Sequence, residues 1–80
     1  MDFNIKPIFY NENTLLVVTK RGILRIMRTP FVVRCIIPYG KVKINTLVYV
    51  DAVSECRIEK LLFRVLGEWI SYRKFILIVN

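Results

Sequence analysis

An 80-residue chain with 55% hydrophobic and 24% charged side chains has the composition of one small folded domain: too apolar for a disordered segment, too charged for a membrane span. There is no histidine, so the commonest general base is missing, and Cys35 and Cys56 alone cannot complete a four-ligand zinc site. Glycines 22, 40 and 67 stand alone, so no phosphate-cradling loop exists. The expectation is a protein that is not an enzyme and uses no cofactor or metal.

The opening "MDFNIKPIFYNENT" starts acidic and breaks at Pro7, unlike a secretory signal, and the longest apolar run, 75 to 79, is far short of a span. A cytoplasmic protein with no membrane partner is expected. Turn signals at Pro7, 11 to 13, 21 to 22, 29 to 30, 38 to 40, Asn45 and Gly67 divide the remainder into short pieces. "TLLVVTK" (14–20), "FVVRCII" (31–37) and "TLVYVDAV" (46–53) are rich in β-branched and aromatic residues and read as strands, and "GILRIMR" (22–28) is read as a fourth. Both cysteines are expected to act as small buried hydrophobes.

Residues 54 to 69, "SECRIEKLLFRVLGEW", fit two patterns. One is a helix capped by Ser54, with Ile58, Leu61, Leu62, Val65 and Leu66 on one face and a stop at Gly67. The other is a hairpin in which "LLFRV" and "WISY" flank Leu66-Gly67-Glu68, with Leu61, Phe63 and Val65 on one face. Local signals favour the helix, whereas the neighbouring strands and the closing "FILIV" (75–79) favour the all-β pattern, and the resemblance below decides for all-β.

From Val48 onward, "VYVDAV … LLFRVLGEWISYRKFILIV" resembles the second half of SH3-like small β-barrels of the kind found in short bacterial and phage proteins. The likeness is one of spacing: a strand, a variable loop, a hairpin around a glycine, a tight turn at "SYRK" and a closing strand. The acidic "ALYDY"-type opening and the paired tryptophans of proline-peptide-binding SH3 domains are absent, so the likeness does not imply that activity. The fold expected is all-β, a small SH3-like barrel or a strongly bent antiparallel sheet. The alternative is a β-rich α+β domain with one helix at about 55–66.

Charge is the sharpest feature. No acid stands between Glu12 and Asp51, while Lys20, Arg21, Arg25, Arg28, Arg34, Lys41 and Lys43 supply a charge equal to the net +7 of the chain. Such a run can neutralise phosphates, and it can equally be a solvated face. Tyr39 beside Lys41, and Tyr72 beside Arg73 and Lys74, pair a ring with positive charge and are candidate base-stacking platforms, or else tyrosines packed at strand ends. Trp69 reads as core or interface. Asp51, Glu55, Glu59 and Glu68 show no spacing that fixes a catalytic pair. The leading expectation is a small basic module that binds RNA or DNA. The alternatives are an interaction or homo-oligomerising module and a phage or viral accessory protein that inhibits a host factor. Both faces of "FVVRCII" and "FILIV" are mainly apolar, so a dimer or higher oligomer through Phe75, Ile76 and Ile78 is also expected.

Overall fold

The computed structural model describes residues 6–78. Val79, assigned above to the closing strand, lies outside the described residues, as do residues 1–5 of the opening segment. The fold is all-β, with nine strands and one 3-10 turn among the described residues. The strands form three separately paired, three-stranded antiparallel sheets around one core, without closure into a barrel.

The N-terminal sheet is a meander of β1 (Lys6–Asn11), β2 (Thr14–Val18) and β3 (Leu24–Arg28). Sequence reading missed β1 because Pro7 looked like a breaker. In the structure Pro7 lies opposite Val17 on an edge strand, where a missing N–H need not interrupt a ladder. The β1–β2 turn is closed by the Asn11 side chain, whose Oδ1 accepts from the Asn13 N–H at 2.9 Å. The β2–β3 turn is closed at Thr19, whose carbonyl accepts from the Gly22 N–H at 2.8 Å and whose Oγ1 accepts from the Ile23 N–H at 3.2 Å.

The central sheet has the order β5-β4-β9, with β4 at Phe31–Cys35, β5 at Leu47–Val50 and β9 at Phe75–Leu77. The third sheet has the order β6-β7-β8, with β6 at Ala52–Cys56, β7 at Lys60–Val65 and β8 at Glu68–Ser71. Residues 46 to 53, expected as one strand, therefore divide at Asp51 between two sheets. One chain segment thereby joins the second and third sheets. The 3-10 turn Tyr72–Lys74 is capped by Ser71, whose Oγ accepts from the Arg73 N–H, and it delivers the chain into β9.

The hairpin pattern for 61 to 72 is the one realised, and the alternative helix at 55–66 is not formed. Leu66 and Gly67 both have positive φ, 51° and 79°, as in the two-residue turn whose twist matches paired strands. The helix would have used Ile58 and Leu66 as core residues. They are instead 85% and 82% exposed, both in turns. Alternation along β7 sends Leu61, Phe63 and Val65 inward. They meet Leu15 and Val17 of β2, Phe31, Val33 and Cys35 of β4, Val50, Val53 and Phe75 in one cluster. Phe63 sits amid aromatic contacts, with ring centroids 5.6 Å from Phe31, 6.1 Å from Phe75 and 6.5 Å from Tyr72. Cys35 is wholly buried, as expected, whereas Cys56 is only half-buried; both are free thiols.

Candidate functional site

The basic residues fall into two groups. Lys20 and Arg21 occupy the exposed β2–β3 turn, and Arg25 and Arg28 are exposed on β3. Register places Arg25 opposite Val17 and Arg28 opposite Thr14, an odd number of residues apart, so they point to opposite faces of the sheet. The second group surrounds the exit of β4. Arg34 is half-buried on the outer face of the central sheet, directly between Leu47 of β5 and Ile76 of β9. Lys41 and Lys43 lie on the β4–β5 connection, where Tyr39 and Val42 exchange backbone hydrogen bonds of 3.1 and 2.8 Å. Lys74 joins this group because its carbonyl accepts from the Ile36 N–H at 2.8 Å.

Among the described residues the ion pairs are Arg64 with Asp51 at 2.7 Å and Arg73 with Glu59 at 4.0 Å. Neither uses a basic residue from positions 20 to 43. That set is therefore unneutralised by the described acids. Asp51 and Glu59 are each engaged locally, Glu59 also accepting from the Ser71 hydroxyl at 2.6 Å. No cluster of three or more potential metal-ligating side chains occurs among the described residues.

The two tyrosines expected as stacking platforms are packed instead. The Tyr39 ring meets Phe75 edge-on at 5.8 Å, and its hydroxyl is buried without a hydrogen-bond partner among the described residues. Desolvation, chiefly, raises the pKa of that hydroxyl above its ordinary value, with smaller contributions from Cys35 and Glu68. Tyr72 packs on Phe63, and the Arg73 guanidinium lies 5.7 Å from its ring. Phe75, expected at an oligomer interface, belongs to the core; Ile76 and Ile78 are half-buried. Trp69 is neither wholly core nor free, since its partly exposed ring lies 5.6 Å from the Arg64 guanidinium.

The structure instead exposes aromatic and aliphatic groups that sequence reading passed over. Tyr49, 66% exposed, lies opposite Val32 on the same outer face as Leu47 and Arg34. Alternation in "LVYV" is the signal that could have found it, because Val48 and Val50 face the core. On the N-terminal sheet, Ile8, Leu16 and Ile26 form one cross-strand row and Lys6, Val18 and Leu24 the next. Leu24 and Ile26 are 56% and 57% exposed, so the outer face of this sheet is an apolar surface in contact with solvent.

Taken together, these features define a small all-β domain with two groups of basic side chains that no described acid pairs, and an exposed apolar sheet face. No protein-family model, curated protein or solved structure matches the chain. No helix among the described residues is long and apolar enough to cross a membrane.

Proposed function

We propose that this protein is a small, non-enzymatic binding module that engages nucleic acid through unneutralised basic side chains. The observation that carries this reading is that seven lysines and arginines between positions 20 and 43 have no ion-pair partner among the described acids. Phosphate supplies the missing counter-charge, and binding releases the counterions condensed on the nucleic acid. Tyr49 beside Arg34 replaces Tyr39 and Tyr72 as the stacking candidate, being exposed on a flat sheet face. The hairpin, 3-10 turn and closing strand of residues 60–77 support an SH3-like reading of that half of the chain. Free thiols at Cys35 and Cys56 support a cytoplasmic location.

The test is a salt titration of affinity for single-stranded and duplex oligonucleotides. The logarithm of the association constant should fall linearly with the logarithm of salt concentration. Undetectable binding to both at low salt overturns the reading.

A second reading, docking of a protein chain by homo-oligomerisation or as an adaptor, is favoured by the uncovered face of the N-terminal sheet. It uses β3, whose ladder partner among the described residues is β2 alone.

A further inference from the structure

We infer that the free edge of β3 receives an extended, acidic strand from another protein, extending the N-terminal sheet by one strand. This rests on the second reading above, that the N-terminal sheet docks a protein chain, and it specifies the chemistry of the partner.

Three observations carry it. The sheet order is β1-β2-β3, so β3 offers one side of its backbone to solvent, and pairing with β2 runs unbroken from Leu24 to Arg28 with no bulge or proline to bend the edge away. The outer face beside that edge is apolar: Leu24 and Ile26 are more than half exposed and continue across β2 into Val18 and Leu16. The charge on β3 and the turn before it has one sign, carried by Lys20, Arg21, Arg25 and Arg28, none of which has an ion-pair partner among the described acids.

These features select the occupant. An exposed edge with apolar side chains normally risks pairing with a copy of itself, and charged residues on the edge are the usual protection. A two-fold copy centred on Ile26 would set Arg25 opposite Met27, but it would bring the two Arg25 side chains to diagonal positions roughly 7–8 Å apart, with no described acid paired to either. The same arginines attract a strand that carries carboxylates. Register then specifies its pattern. Side chains opposite Leu24 and Ile26 continue the apolar face, those opposite Arg25 and Arg28 are acidic, and the one opposite Met27 is apolar. Read antiparallel to β3, the complementary run is Glu-Val-Val-Glu-Val.

The test uses the full chain and a blocked peptide carrying that run, with binding followed by titration calorimetry and by exchange protection of the β3 amides. The controls are the same peptide N-methylated on alternate amides, polyglutamate, anionic lipid vesicles and the Lys-for-Glu peptide. The expected result is saturable binding that protects β3, lost on N-methylation and weak for polyglutamate. With Arg25→Glu and Arg28→Glu together, the acidic peptide should bind about tenfold or more weakly and the Lys-for-Glu peptide should take its place. Both residues are exposed, so the folded state should persist, as the circular dichroism spectrum would verify. Polyglutamate binding as tightly as the peptide overturns the inference in favour of a mere polyanion surface. Vesicle binding without peptide binding overturns it in favour of a lipid surface. A concentration-dependent dimer that protects β3 in the absence of peptide overturns the acidic partner but retains the docking reading, whereas β3 amides left unprotected under every condition overturn both.

Discussion

Asp51 and Arg64 hold each other twice: the Asp51 N–H donates to the Arg64 carbonyl at 3.0 Å, and Arg64 Nε donates to Asp51 Oδ1 at 2.7 Å. Asp51 is the residue at which the chain leaves β5 for β6, so this pair pins the corner between two sheets. Both side chains are more than a third exposed, and water and salt screen such a pair. Asp51→Asn should therefore lower stability less than any core truncation, and the difference should shrink as salt is added. Trp69 reports on the same corner, because the Arg64 guanidinium lies over its ring. Arg64→Ala should shift Trp69 fluorescence without unfolding the domain, and an unchanged emission spectrum would show that the stacking does not persist in solution.

Tyr39 carries a buried hydroxyl with no partner among the described residues, so deleting it removes a desolvation cost while retaining the ring on Phe75. Tyr39→Phe should leave stability unchanged or raise it by up to about 1 kcal/mol in urea unfolding. The raised pKa adds a pH signature. In the unfolded chain the phenol ionises at its ordinary value near 10, whereas in the folded protein it keeps its proton to higher pH. The folded state then binds more protons in that window, so the Tyr39 contribution to stability is full below pH 10 and is lost as pH rises from there through the folded pKa. Tyr39→Phe should flatten that part of the decline, measured as urea midpoints across alkaline pH.

Truncation in the core should cost most, whereas the β7–β8 turn offers one stabilising and one destabilising substitution. Phe63 is almost wholly buried amid three aromatic neighbours, and Phe63→Ala should cost about 3–5 kcal/mol. That is a large part of the roughly 4–12 kcal/mol expected for a domain of this size. At the turn, Leu66 holds a left-handed φ of 51° and is exposed, so Leu66→Asn should stabilise by about 0.5–1 kcal/mol by supplying the Asn-Gly pair that this turn favours. Gly67→Ala should cost about 1 kcal/mol from its φ of +79° alone, since a Cβ there meets nothing within 4 Å. Thermal melts of the three variants provide the check.

For nucleic-acid binding, Arg25→Ala, Arg28→Ala and Lys41→Ala should each weaken affinity similarly for unrelated sequences and make the salt slope shallower by about one. Tyr49→Ala should weaken single-stranded binding while leaving the slope unchanged, as loss of a stacking contact does. Tyr39→Phe should do neither, because that ring packs against the core.

The all-β class was legible in the sequence because β-branched and aromatic residues alternate between turn signals. The β7–β8 turn was legible only in part: a hairpin connection at Leu66-Gly67-Glu68 competes in the sequence with a helix over 55–66, and the structure closes it one residue sooner, with Val65 paired to Glu68. The acid-free interval from Glu12 to Asp51 was visible as a matter of composition. Tertiary structure alone decided the rest. β1 forms across Pro7 because that strand lies at an edge, and edge position is a property of the sheet order. Residues 46 to 53 divide at Asp51 because both halves find partners in different sheets, β4 for one and β7 for the other. Alternation in "LVYV" sets Tyr49 on the face opposite Val48 and Val50, but whether that face, or the Tyr39 ring, is covered could not be read locally. Packing decided it: Phe75 arrives from the far end of the chain to cover one ring, whereas the face that bears Tyr49 is left uncovered. Burial is set by contacts distant in sequence, and a local pattern fixes only which side chains share a face.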